Sequence, residues 1–542
     1  MAAGKYTQVL IGKNGRALHS ASSVILIGSK RREGKKMKAM LISPFSVMPL
    51  NEYTDLYPRE PLGLEYLAAA AGNHDVQILD CKGDFPGSFR IFHNGTVRIG
   101  ASLRQIEKEI VESKPDLVGV SSLFDTQINS VYSIFDLVKK IDKNIITVVG
   151  GCAASCYPVE ILQGNTNIDI VVFGEGERTF SELLDKQCTN LGSIDGIIYR
   201  NDGKITRNSS RALIENLDDL QFPRRDLVPF ENYCKPWRTI SQAMFFLKAK
   251  GPRYVLGRVI KKAFERKAAS PNVERKALEA KILTSRGCPF NCYFCAVRNV
   301  WGSHNYRMRS AENVLSEMVM LYDKYKVRHF GIVDENFGIS KKRTIEICRG
   351  IIERHLDVTL NADSGLYISS ADREVLTWMK KAGFNEVFFA VESGNEAVLR
   401  NIIGKEIELS RVEELARICR DLSLTSGGFF IVGVPGETKE TMAETVKFAV
   451  NSKLDIVRLY TCQPFRGSRL YEDAQKNGWL TKDYDPSNSL IFESNCHLKT
   501  PEFSPEDVRQ IAENAKEILR QQNRLGSAEI CAPLRKPVKN RY

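Results

Sequence analysis

From Lys38 onward, short apolar runs at 40–43, 76–79, 117–120, 145–149 and 168–173 alternate with segments at 62–71, 103–113, 129–141 and 177–184, whose apolar positions recur every three or four residues. Uninterrupted apolar runs of strand length predict strands buried on both faces, and the longer period between them predicts helices that cover those faces. The product is a doubly wound, Rossmann-like α/β domain over 38–225, with ligand loops at the carboxyl ends of mostly parallel strands. The alternation resumes with strand candidates at 281–284, 329–333, 358–361, 386–391, 427–432 and 455–459. Six β/α units predict a partial (β/α)6 barrel of the TIM type over 281–500, again with its chemistry at the strand carboxyl ends. A polar helix at 503–525, within a C-terminal segment 501–542, caps the barrel and ends in a loose tail; residues 1–37 read as an N-terminal extension.

Composition narrows the class. The chain has 542 residues, 43% apolar and 26% charged, the proportions of folded protein rather than of a disordered or coiled-coil chain. No apolar stretch reaches the roughly 18 residues of a spanning helix, and no export signal opens the sequence, which predicts a cytoplasmic protein without a membrane span. Thirteen cysteines in that setting predict reduced thiols that bind metal or fill cores. The net charge of +12 is concentrated: between Lys235 and Lys281 thirteen Lys or Arg face three acids. Segment 226–280 therefore reads as a basic helical linker, either a solvated connection or a basic surface toward an anionic substrate or partner.

Candidate chemistry centres on Cys288, Cys292 and Cys295, which follow the first barrel strand after a Ser285-Arg286-Gly287 turn. Three soft thiolates on one short loop suit zinc, for which His304 would be the nearest fourth ligand, or an iron–sulfur cluster, which three cysteines can hold with one iron left open. This C-x3-C-x2-C, with Phe294 just before its last cysteine, resembles the signature of the radical S-adenosylmethionine enzymes. That resemblance covers about 281–475 and implies a 4Fe-4S cluster on the three cysteines, S-adenosylmethionine on its open iron, and one-electron cleavage to methionine and a 5'-deoxyadenosyl radical. Glu392, Ser393 and Gly394 resemble the family's ribose-contacting turn, and Gly433 and Pro435 lie in a segment similar to its strand-plus-glycine loop, where Thr441 and Glu444 also fit a capping box. Arg307 to Ser310 and Asp334 to Phe337 occupy the positions of a basic turn and an acidic strand end, facing substrate or pairing at the surface. Asn361, Asp363, Tyr460 and Cys462 end strands whose side chains point into the cavity, so Tyr460 and Cys462 are the catalytic candidates.

The N-terminal half refines the resemblance. Pro61 to Leu64 open the first helix, Ser121, Ser122 and Leu123 follow the third strand, Gly150 and Gly151 the fourth, and Gly174 and Glu175 the fifth. This arrangement resembles the cobalamin-binding half of the cobalamin-dependent radical S-adenosylmethionine enzymes, where small residues make room for a corrinoid. Asp-x-His-x-x-Gly is absent, so cobalt would lack a histidine ligand from that motif. The resemblance implies transfer of methyl from methylcobalamin to an unactivated carbon or phosphorus of a small metabolite. Ring closure or rearrangement with the same cofactors is the alternative, and a non-catalytic corrinoid- or metal-binding protein the rival from another class. An electron donor such as flavodoxin or ferredoxin is the implied partner. The N-terminal domain lacks a three-cysteine arrangement for a second cluster, since Cys81, Cys152, Cys156 and Cys188 make no compact motif and Cys152 with Cys156 supplies only two ligands, and a nucleic-acid substrate is not expected.

Overall fold

The structure, a computed structural model, describes residues 36–49, 58–201, 203–234, 247, 278–302, 305–362, 364–487 and 495–526. Residues 1–35 of the N-terminal extension, most of the basic linker, His304, Asp363 and the final tail lie outside the described residues.

Seven strands form the N-terminal sheet: β1 (Lys38–Ser43), β2 (Asp75–Asp80), β3 (Leu117–Ser121), β4 (Ile146–Gly150), β5 (Ile170–Val172), β6 (Ile197–Asn201) and β7 (Lys204–Arg207). Their order is β7-β6-β5-β4-β3-β1-β2. The first five are parallel and run 2-1-3-4-5, the flavodoxin-like doubly wound order, with its switch point between β1 and β3. The expected strands form because runs such as Ala39 to Ile42 and Leu117 to Val120 are buried on both faces beneath helices Leu62–Ala70, Leu103–Ser113, Ile128–Ile141 and Glu177–Asp185. Helix Leu103–Ser113 starts with a capping box between Ser102 and Gln105. Two additions depart from the expected alternation. β6 and β7 extend the sheet antiparallel, and Ser46–Pro49, Phe89–Ile91 and Thr96–Ile99 form a separate antiparallel sheet. β7 and the strands of the separate sheet are short and only partly buried, and β6 buries only Ile197 to Tyr199, so they lack the longer apolar run.

The second unit has six parallel strands: β8 (Leu278–Ile282), β9 (Val327–Ile332), β10 (Thr359–Ala362), β11 (Glu386–Glu392), β12 (Thr425–Val432) and β13 (Ile456–Thr461). They pair as β8-β9-β10 and β11-β12-β13, and a parallel bridge from Leu360 to Phe384 joins the two halves into a partial barrel. On β11, β12 and β13 alternate residues face opposite ways. Phe389, Val391, Phe430, Val432, Val457 and Leu459 join the main hydrophobic core, whereas the rings of Phe388, Phe429 and Tyr460 form a ladder across the other face, with centroids 5.2 and 6.5 Å apart. Helix Pro505–Gln521 buries Val508, Ala512, Ala515 and Leu519. The capping box expected around Thr441 is present one turn earlier than read, with Thr438 as N-cap and Thr441 as its third-residue partner; Glu444 instead pairs with Asn395.

Candidate active site at the junction of the two units

The cysteine loop leaves β8 through a short hairpin, Ser285–Gly287 paired with Tyr306–Met308. Gly287 is required there: it has φ +85°, and a Cβ would fall 1.9 Å from the Asn305 carbonyl oxygen. Asp334, fully buried at the end of β9, anchors the start of the loop by accepting from Thr284 N at 2.6 Å, Thr284 Oγ1 at 2.5 Å and Ser285 Oγ at 2.5 Å. The loop then packs on the turn after β11: Tyr293 N donates to Ile403 O at 3.0 Å, and Cys292 and Phe294 rest against Val398, Leu399 and Ile403. Among the described residues no three His, Cys, Asp or Glu side chains stand grouped as a ready-made metal site. Cys288, Cys292 and Cys295 share one partly buried loop and feel one another's charge.

Burial pushes the Cys292 thiol up to about 12 and Cys295 up to about 11. Such thiols ionise only against a strong local positive charge, which ligated iron supplies, so the donor set fits a cluster. Glu335 lies close by, its carboxylate accepting from Trp301 Nε1 at 2.5 Å and Gly287 N at 3.2 Å, and burial pushes it up to about 7. Glu392 ends β11 at a bulge with φ +70°, an unusual conformation for a glutamate, and pairs with Lys405 Nζ at 3.3 Å. Ser393 Oγ meets Thr445 Oγ1 at 2.9 Å. A Cβ on Gly394 would come within 2.5 Å of Phe448 Cβ, so this glycine is needed for helix Lys439–Asn451 to pack. Past β12, Glu437 receives Gly433 N at 2.9 Å and Val434 N at 2.8 Å, closing the loop that carries Pro435.

The N-terminal sheet brings its strand ends to the same junction. Ser122 N donates to Gly150 O and Ala153 N to Ser122 O, drawing the loops after β3 and β4 together. Gly151 permits this approach with φ +106°, since a Cβ would sit 2.6 Å from Ser122 O. Ser121 is partly buried at the end of β3. Beyond it, Leu123 and Phe124 are each 47% exposed although apolar, and the Ser122 hydroxyl is wholly buried with no hydrogen-bond partner. Gly174 has φ +77°, and a Cβ there would meet the Val300 carbonyl oxygen at 4.0 Å. An orphaned buried hydroxyl, a glycine cradle and exposed apolar side chains fit a bulky ligand that is both apolar and hydrogen-bonding, as a corrinoid is.

Some residues take other duties. Glu175 and Glu177, after β5, bind Arg286 at 2.9 and 2.5 Å, while Arg307 holds Glu175 at 2.9 Å. Glu175 is thus committed to the domain junction; Arg307 is partly buried and paired with it, and Arg309 is buried in an ion pair with Glu317 rather than paired at the surface. Cys462 is 2% exposed and packs in the barrel core, where burial holds its thiol well above the usual range. Tyr460 keeps the lumen-facing position. Sequence reasoning missed Lys405 and the pairing of Arg286 with Glu177; Cys156 Sγ also reaches this junction, 3.8 Å from Asn299 Nδ2, just beyond the cysteine loop. No spacing rule links residues so far apart in the chain.

Comparison with known proteins decides the family. A model described as the radical SAM superfamily matches residues 282–449, and one described as the B12 binding domain matches 56–184, together more than half of the chain. The protein is a cobalamin-dependent radical S-adenosylmethionine enzyme. Its cofactors are a 4Fe-4S cluster, S-adenosylmethionine and cobalamin. This enzyme is 29% identical over 82% of its length to 85% of an uncharacterized methyltransferase of Pyrococcus horikoshii. It is 28% identical over 89% of its length to 90% of the cytidylyl-2-hydroxyethylphosphonate methyltransferase of Streptomyces wedmorensis. The fold is similar to that of the radical S-adenosylmethionine methyltransferase TsrM of Kitasatospora setae, with cobalamin and a 4Fe-4S cluster bound: TM-score 0.59, 17% identity, 88% of this chain and 84% of that one.

Proposed function

We propose that this enzyme methylates an unactivated carbon or phosphorus centre of a small-molecule metabolite. The observation that carries the reading is the tie between the two cofactor loops: Arg286, two residues before Cys288, is bound to Glu175 and Glu177, directly after Gly174. A substrate at that junction is within reach of both cofactors, the requirement for methyl transfer. When bound, the cluster and S-adenosylmethionine supply a 5'-deoxyadenosyl radical that takes a hydrogen atom from the substrate, and cobalamin supplies the methyl group. Cys288, Cys292 and Cys295 hold the cluster. Glu392, followed by Ser393 and Gly394, accepts hydrogen bonds from the ribose hydroxyls, and Phe294, Gly433 and Pro435 line the same pocket. Ser121, Ser122, Leu123, Gly150, Gly151 and Gly174 cradle the corrinoid, Glu175 fixes that cradle to the barrel, and Tyr460 faces the substrate from the lumen, while Cys462 is assigned to packing. The names of the two relatives matched along most of their lengths favour methyl transfer over ring closure.

Among the described residues no helix is long and apolar enough to cross a membrane. Free thiols throughout the described chain suit a reducing cytoplasm, where flavodoxin or ferredoxin is the proposed electron donor. The test is anaerobic reconstitution with iron, sulfide and hydroxocobalamin, then reductant and methyl-labelled S-adenosylmethionine. Wild type is expected to form 5'-deoxyadenosine and labelled corrinoid, and Cys292→Ala to lose the first. Deoxyadenosine with bound but unlabelled corrinoid would replace methyl transfer with cyclisation or rearrangement.

A further inference from the structure

The turn after β11 places an oriented pair of opposite charges beneath the cysteine loop. Lys405 is nearly enclosed, its side chain 8% exposed. Its ammonium donates to Ala390 O at 2.5 Å, pairs with Glu392 Oε1 at 3.3 Å and lies 5.8 Å from the centre of the Phe290 ring, between Cys288 and Cys292 in sequence. The support around it is firm. A single turn of π-helix, Val398–Ile403, ends at Gly404 with φ +79°, and that turn carries the Tyr293 to Ile403 backbone bond and the packing of Cys292 and Phe294. A second cation, Arg469, donates to Asn291 O at 2.7 Å and stands over Tyr293. Lys405 therefore holds one position and cannot swing away into water.

We infer that Lys405 and Glu392 form a fixed dipole that sets the reduction potential of the cluster on this loop, with the ammonium end favouring the reduced state and the carboxylate end opposing it. Both charges sit against the cysteine loop: the ammonium lies beside Phe290, between Cys288 and Cys292, and the carboxylate is held to the ammonium at 3.3 Å. Reduction adds one negative charge to the cluster. A buried cation beside it stabilises that charge and a buried anion destabilises it, both more strongly than in water because the surroundings screen poorly. Glu335, just past β9, is a third acidic group beside the loop, accepting from Gly287 N at 3.2 Å, and is left unaltered in the test.

The inference rests on the cluster assignment above, and the experiment separates the two. Full-length wild type, Lys405→Met, Lys405→Arg and Glu392→Gln are reconstituted anaerobically without S-adenosylmethionine, their iron and sulfide are counted, and the reduced cluster is followed by electron paramagnetic resonance during a redox titration. At the poise where wild type is half reduced, Lys405→Met is expected to show a reduced-to-oxidised ratio about tenfold lower, equivalent to about 59 mV for one electron. Glu392→Gln is expected to shift the ratio the opposite way, and Lys405→Arg to stay near wild type. A merely structural role for the pair would not produce shifts of opposite sign. Equal cluster content with an unmoved ratio in Lys405→Met, or shifts of the same sign in Lys405→Met and Glu392→Gln, overturns the dipole. If Lys405→Met fails to hold a cluster, Glu392→Gln decides alone, and an unchanged or lowered ratio overturns the proposal. A wild-type chain that binds no cluster overturns the assignment itself, and the dipole with it.

Discussion

Replacing Arg225 by methionine tests the idea that buried charge, more than apolar contact, locks the two units together. Arg225 is 1% exposed and has four ties: Nε to Glu60 Oε1 at 2.6 Å, Nη1 to Glu317 Oε1 at 2.7 Å, Nη2 to Lys281 O at 2.7 Å, and Glu65 at 4.0 Å. Glu60 also receives Lys281 N at 3.0 Å, so the network fastens the start of the first helix to the first barrel strand. Burial and the neighbouring Glu60 hold the Glu65 carboxyl well above its ordinary range. Removal of one partner from a buried pair costs about 3–5 kcal/mol, because the charge left behind is uncompensated. Glu317 would keep Arg309, but Glu60 would lose its only described cation and Lys281 O its donor. At roughly 2–4 °C per kcal/mol for a unit of 150–250 residues, the first melting transition should fall by roughly 6–20 °C in scanning calorimetry. A chain of two units need not melt in one step, so that first transition is the observable. The double variant Arg225→Met with Glu60→Gln removes the stranded charge and should recover at least half of the loss. A single variant melting within 2 °C of wild type, or a double variant no better than the single, would refute the reasoning.

Other consequences are as concrete. Gly151→Ala places a Cβ 2.6 Å from Ser122 O in a left-handed conformation that costs about 1–3 kcal/mol. It should abolish retention of cobalamin on gel filtration, read by corrin absorbance, while the cluster content stays normal. Cys292→Ala should lose most of its iron and sulfide without changing corrinoid binding. Glu437 is buried and pushed up to about 7 by that burial, so its neutral form is the one the fold prefers. Its contribution is present in full below about pH 4.3, the ordinary glutamate range, and fades as pH rises through 7, by something of the order of 3 kcal/mol. Urea midpoints of wild type should decline over that interval, and those of Glu437→Gln, whose amide oxygen can still accept from Gly433 and Val434, should be flatter.

The fold was legible where burial leaves a one-dimensional trace. The five parallel strands of the first sheet and the last five barrel strands fall on their expected runs, because a strand with at least one face in the core leaves apolar residues at regular positions. The first barrel strand lies three residues earlier than its run suggested, since Thr284 and Ser285 spend their polar groups on Asp334 instead of on the ladder. Edge strands such as Lys204–Arg207 carry polar residues that read equally well as loop. In the site, the spacing singled out the three cysteines as one loop suited to zinc or an iron–sulfur cluster, and the glycines after β4 and β5 stood out by their position.

The junction was illegible for a physical reason. Glu177 and Arg286 are 109 residues apart, and Arg225 and Glu60 are 165 apart. A buried ion pair between distant segments leaves no local pattern, because each partner alone looks like a surface charge in the sequence. Yet charges buried in this way tolerate little displacement, since each must keep its hydrogen bonds or bear the full cost of desolvation. An apolar interface could slide by an ångström at modest cost, whereas Arg286 between Glu175, Glu177 and the Tyr66 and Trp301 rings cannot. The enzyme thereby holds the loop of its cysteines and the loop of Gly174 at one fixed separation, which a reaction shared between two cofactors requires.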